Sequence, residues 1–338
     1  MGAGLKPAFR VVADGADITG KIAERLLSIR VTDEAGITSD QVEIALDDRG
    51  GEINLPPTGA ELSVSLGYEN GIIYNLGKYS VDEVEISGPP WSMTLRGKAA
   101  DMKASLKSWR KEDYNKTTLG KILTTIAQRH GLKPAIASEF SGIAVDHLDQ
   151  IYESDLHIIT RLAEQYGAVA KPAGGSLLFV KRGAGSDADG KPLPPVDIPG
   201  HQIIDWRAAI HDRQFYSRVG AHYKDKRGAK VTYVYSGDGE PVMYLRHPFK
   251  SQQDAISAAE AKLRQLKRGR TSLSLSIVGN PMICAEMPII VSGFRDGVDG
   301  EWIVTRAEHT LDGSGLTTRL EAQRRDEFAI DQAGSDNS

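Results

Sequence analysis

Cysteine is nearly absent from this chain: Cys284 stands alone among 338 residues. A lone cysteine closes no intramolecular disulfide and has no partners for a thiolate metal site, so a reducing compartment of synthesis is expected. Long apolar runs are missing too. No stretch approaches the roughly 18 uninterrupted apolar residues of a membrane-spanning helix, and residues 1–20 lack the apolar core of a signal peptide. The expectation is a chain that neither inserts into a membrane nor enters a secretion pathway by itself. Met1-Gly2 opens like a myristoylation signal, but Lys6 stands where Ser or Thr is required. Positive charge is not in excess either. A formal net charge of -4 opposes a protein whose main task is to coat nucleic acid, because phosphate neutralisation needs surplus Lys and Arg.

Signatures of chemistry are equally scarce. His130, His147 and His157 include no pair at i and i+4, so they read as capping or surface histidines and no metal site is assigned. The chain has no Gly-x-Ser-x-Gly, no Walker-type Gly-Lys-Ser/Thr and no dinucleotide-binding glycine pattern after a strand. Glu153 and Asp155 flank a capping Ser154, where negative charge favours a helix start without any catalysis. Lys262, Arg264, Lys267, Arg268 and Arg270 form the strongest basic cluster. It reads as the solvated end of a helix rather than a nucleic-acid contact. No catalytic, cofactor-binding or metal-ligating residue is singled out, and the expected protein is neither an enzyme nor a cofactor carrier.

What the chain does have is turn residues, with Gly 35 and Pro 15, and short alternating runs between them. Runs over 9–12, 26–31, 41–46, 61–66, 79–86 and 91–95 predict a first tube-like β-barrel domain over 1–105. The step of three between Val81 and Val84 breaks the two-residue period, as a bulge would. Helical spacing begins at 119, after capping Thr117 or Thr118, and ends at Gly131. A second helix starts from Ser154, carries Leu156, Ile158, Ile159, Leu162 and Ala163 on one stripe, and stops at Gly167. With a strand over 176–180, these make an α+β insert domain, 106–182.

The segment 183–200 is rich in Gly and Pro and reads as a linker. Strands over 201–210, 217–224, 229–236, 272–278, 289–292, 302–311 and 316–322, with one helix over 251–268, predict a second tube-like β-barrel domain over 201–328. The polar tail, 329–338, is expected to be disordered. The fold class is thus mainly β, with two similar barrels flanking a helix-containing insert.

The two β-rich regions also resemble each other. Tyr79, Val81, Glu85, Met93-Thr94, Arg96 and Ala99 match Trp302, Val304, Glu308, Leu316-Thr317, Arg319 and Ala322 at one separation of 223 positions (302 − 79). Asn70-Gly71 and Asp296-Gly297 are hairpin signals ahead of both. Three such chains, each giving two similar barrels, can close a ring of approximate sixfold symmetry. Strand edges and apolar faces then hold the ring, and charge reversal at Glu85 or Glu308 alone should be tolerated.

The run from His147 through Glu153-Ser154-Asp155-Leu156 continues to Arg161-Leu162-Ala163, Tyr166-Gly167 and Leu177-Leu178-Phe179. This stretch resembles the phage late control protein D family, the tail hub proteins related to the hub portion of VgrG. The resemblance extends more weakly over nearly the whole chain. It implies a homotrimer in a virion tail or baseplate, between a hexameric tail tube protein and a separate trimeric spike protein, made in the bacterial host cytoplasm. Baseplate or tape-measure components are further implied partners, and the family carries no active site over to this chain. A second reading is a wall-degrading or glycan-binding tail component, suggested by the loop 183–200 and by Trp109 and Tyr114 as exposed aromatics.

Overall fold

The computed structural model describes residues 5–36, 38–100, 104–185, 191–210, 216–224, 231–268 and 271–325. The tail 329–338 lies outside them. The first lobe contains β1 (Pro7–Ala13), β2 (Ala16–Asp17), a single turn of helix α1 (Thr19–Ile22), β3 (Leu26–Glu34), β4 (Gln41–Asp47), β5 (Glu61–Tyr68), β6 (Ile73–Ser87) and β7 (Ser92–Ala99). Alternation sets its faces: Val42, Ile44 and Leu46 of β4 and Leu62, Val64 and Leu66 of β5 point inward, and the residues between them face out. They pack with Ile29, Val31, Tyr79, Val81 and Met93. Each fully buried aliphatic side chain contributes roughly 1.5–3 kcal/mol. The bulge expected after Val81 is present, where the ladder to β7 shifts between Val81 and Glu83.

The insert follows as β8 (Trp109–Thr118), α2 (Leu119–Arg129), β9 (Lys133–Ile136), α3 (Ser138–Ser141), β10 (Ala144–Ser154), α4 (Asp155–Tyr166), β11 (Ala168–Ala173) and β12 (Ser176–Lys181). Both expected caps form. The Thr118 side chain accepts from the Lys121 N–H, and that of Ser154 from the His157 N–H. Gly167 ends α4 at φ 66°, in the left-handed region that glycine tolerates. The two helices bury Leu119, Ile122, Leu123, Ile126, Ile158, Ile159 and Leu162 in a core of their own, shared with Phe140 and Phe179.

The rest of the chain comprises β13 (Val196–Pro199), β14 (Ile203–Ile210), β15 (Arg218–Lys224), β16 (Val231–Gly237), β17 (Val242–Tyr244), α5 (Gln252–Arg268), β18 (Thr271–Val278), β19 (Pro288–Ser292), β20 (Gly300–Asp312) and β21 (Gly315–Arg324). Two departures from the sequence reading occur here. The stretch read as linker carries β13, which pairs parallel with β19. Strands β15, β16 and β17 do not join the second lobe's sheet. They form a separate three-stranded sheet under α5, whose Ala255 and Ala259 are small enough to let the helix lie close on Val219 and Ala221.

Two lobes share one sheet of 13 strands, ordered β14-β18-β21-β20-β3-β4-β7-β6-β5-β1-β2, with β19 and β13 branching from β20. The 13-residue β20 makes this possible. Its first part pairs with β19 and its second part with β3. Among the described residues no ladder closes either lobe into a barrel of its own.

Strand order repeats between the lobes, β1-β5-β6-β7-β4-β3 against β13-β19-β20-β21-β18-β14; β13 runs parallel to β19 where β1 runs antiparallel to β5, and over the other ladders register repeats as well. Leu62↔Tyr79 corresponds to Ile289↔Trp302, Val84↔Leu95 to Ala307↔Leu320, Ile44↔Leu95 to Leu275↔Leu320, and Ile29↔Ile44 to Trp206↔Leu275. Two bulges are duplicated with them. One lies between Val81/Glu83 and Val304/Arg306, the other between Leu26/Ser28 and Ile203/Asp205. The separation of 223 holds for β6 and β20. On the next strand Leu95 corresponds to Leu320, two positions further on, because six residues separate Thr310 from Thr317 where four separate their counterparts Ser87 and Ser92.

Candidate functional site: the sheet joint and its free counterparts

The two lobes meet where β20 pairs with β3, from Arg306↔Glu34 to Asp312↔Ser28. Ala307, His309 and Leu311 on one strand, and Ile29 and Val31 on the other, are buried by this pairing. Across the outer face, Arg306 Nε lies 3.3 Å from Glu34 Oε1 and Arg30 Nε 3.8 Å from Glu308 Oε1. His309 sits 2.9 Å from Thr318 Oγ1 through Nδ1 and 3.1 Å from the Ile283 carbonyl through Nε2. Burial pulls its pKa down to about 4 against the pull of that carbonyl, so the ring is neutral. Its Nε2–H then donates to the carbonyl, and Nδ1 accepts from Thr318.

Behind the joint, Lys171 of β11 reaches out of the insert. Its Nζ donates to Asp33 Oδ1 at 2.7 Å, Asp40 Oδ1 at 2.6 Å and the Glu34 carbonyl at 2.8 Å. Burial alone would raise Asp33, but the adjacent ammonium holds it below the usual carboxylate range. Asp40 is pushed up to about 7 by burial and by the like charge of Asp33, which Lys171 only partly offsets. The nearby Cys284 thiol is pushed up to about 11, chiefly by burial, which makes it a poor nucleophile.

Strands equivalent to this joint lie uncovered elsewhere. On β6 the ladder to β5 ends at Ser80, leaving one edge of 83–87 without a ladder among the described residues. Among the described residues the whole of β14 is likewise paired on one side only. Ile86 is 48% exposed where its counterpart His309 is 2% exposed, and Trp206 is 39% exposed where its counterpart Ile29 is fully buried. At the β1 end of the sheet the edge is blocked by its own chain. The Val11 N–H donates to Thr19 Oγ1, the Val11 carbonyl accepts from the Ile18 N–H, and β2 pairs with Val12 and Ala13.

The residues weighed from sequence fall mostly into structural roles. Asp155 is fully buried and accepts from Arg129 Nη1 at 2.9 Å, Gln150 Nε2 at 2.8 Å and His130 Nε2 at 2.7 Å. Burial would raise it; the donors Gln150, His130 and Arg129 prevail and keep it low. Glu153 binds Arg161 and His157, and His147 lies 2.6 Å from Asp149. Trp109 is 77% exposed, but Tyr114 is buried in the insert core because the alternation of β8 turns it inward. Arg268 is buried beside Gly183 rather than solvated, and Arg270 lies outside the described residues. The Lys171 cluster was missed, although a lysine within the otherwise apolar Ala168-Val169-Ala170 run is a readable sign of a buried cation with partners.

Residues 52–315 match the phage tail baseplate hub (GPD) family. The chain belongs to that family. A probable baseplate hub protein of Escherichia phage P2 is 35% identical over 366 aligned positions, covering 96% of this chain and 95% of the relative. Its counterpart in Escherichia phage 186 is 33% identical over 365, covering 95% and 94%. Baseplate hub proteins are structural components of the tail, and this chain shares that role. The fold recurs in the 43 kDa tail protein of prophage MuSo2 from Shewanella oneidensis, with a TM-score of 0.73 at 16% identity over 95% of this chain and 99% of that one. It recurs also in the c3393 protein of Escherichia coli, a type VI secretion component, with a TM-score of 0.56 at 12% identity, covering 90% of this chain and 74% of that one.

Proposed function

We propose that three copies of this chain form a ring of six similar lobes that joins a hexameric tail tube to a trimeric spike carried on a separate polypeptide. The duplicated strand order carries this reading. Two lobes of the same strand order already sit edge to edge within one chain, and repeating that joint between chains makes a heterologous contact of the kind that closes rings. Tube, spike and neighbouring baseplate or tape-measure proteins are its partners in the virion baseplate, and the chain is made in the host cytoplasm.

The role is architectural rather than enzymatic. The carboxylates Glu34, Glu286 and Glu321 line a cleft of about 230 Å³. That is below the roughly 300–1,000 Å³ of ordinary small-molecule sites and far too small for a wall polymer. Glu286 Oε2 in that cleft already accepts from the Gly183 N–H at 2.9 Å. Native mass measurement, alone and with a candidate spike protein, tests the reading. A mass of three chains is expected; a persistent monomer under both conditions would overturn it, as would release of soluble fragments from purified peptidoglycan.

A further inference from the structure

We infer that the uncovered second half of β6 in one copy pairs with the free edge of β14 in the next, 84–88 running antiparallel to 206–210. Arg207 then lies opposite Ser87 and diagonal to Glu85 of the neighbouring copy. This deepens the trimeric hub reading and rests on it. The register follows from the two equivalences already established. Bulge and ladder positions superpose β20 on β6, with Arg306 falling on Glu83, and β3 on β14, with Ile29 falling on Trp206. Carrying the internal pairs His309↔Val31 and Thr310↔Arg30 through these equivalences gives Ile86 opposite Ala208 and Ser87 opposite Arg207.

Three observations agree with that register. Arg30, which approaches Glu308 diagonally across the internal joint, has Arg207 as its counterpart, and Glu308 has Glu85. Both are exposed, so the free edges carry the same charge pairing that the internal joint uses. The inward-facing apolar side chains Ile86 and Trp206, unusually open for lobe interiors, would be covered as His309 and Ile29 are. Pro89, lacking an N–H, follows Gly88 and ends the new ladder where the β6–β7 turn begins. The occupant is a second copy of this chain, because both halves of the contact are present on it and neither half fits itself.

Paired cysteines test the register. In a Cys284→Ser background, Ser87→Cys with Arg207→Cys and Ile86→Cys with Ala208→Cys sample neighbouring ladder positions, one of which is a closely spaced pair. Covalent trimers on a non-reducing gel are expected from at least one combination. Their yield should be at least tenfold that of the out-of-register Ser87→Cys with Asp205→Cys. Hydrogen exchange on the unmodified chain gives a second reading, with slower exchange of 84–88 and 206–210 on assembly. A particle of three chains that crosslinks at neither pair and leaves those amides unprotected overturns this ladder but not the hub. A chain that never leaves the monomer overturns both.

Discussion

Lys171 is the residue whose loss should cost most for its size. It neutralises Asp33 and Asp40 together and ties the insert to the joint between lobes. Lys171→Met would leave two facing carboxylates without their cation, and a loss of about 3–5 kcal/mol is expected in chemical denaturation. The same cluster gives a pH dependence with a definite sign. Asp40 titrates at about 7 in the fold instead of 3.8, so the folded chain holds a proton that the unfolded chain has released. Its contribution is therefore present below about pH 4 and fades as pH rises through 7. Compared with Asp40→Asn, the natural protein should lose about 2–4 kcal/mol between pH 4 and 8; parallel stability profiles would contradict the assignment. Sequence reasoning named Glu153, Asp155 and three histidines but not this triad. Its members are separated by up to 138 residues, and only the fold brings them together.

The helices of the insert illustrate what is readable locally. Thr118, Ser154 and Gly167 announce their roles because each cap is satisfied by atoms within three or four residues. Thr118→Ala and Ser154→Ala should each cost about 1 kcal/mol in thermal unfolding; no change in either would mean that the caps are replaced by solvent. The bulge after Val81 was equally legible, since it shows as a break in period. The two-residue offset between β7 and β21 was not. A shift of two keeps every side chain on its own face, so an apolar pattern is blind to it. Tyr114 was misjudged for the converse reason: polar neighbours on β8 mask an inward position that alternation assigns to the core.

At the scale of the whole molecule, the sequence carried the duplication and the family motif but not the continuity of the sheet. Pairing between β3 and β20 joins residues more than 270 positions apart, and no local signal encodes it. The separate sheet β15-β16-β17 was hidden likewise, because a strand's pattern does not say which sheet it joins. A ring held by ladders and apolar faces spreads its energy, and an exposed ion pair adds only about 0–1 kcal/mol. Glu85→Lys alone should therefore leave the native mass unchanged; complete loss of assembly would reveal one dominant contact. The most direct test of the hub itself is electron microscopy of the purified assembly viewed along its axis. Six similar lobes repeating with threefold symmetry are expected, and isolated two-lobed particles or a ring with any other number of lobes would contradict the account.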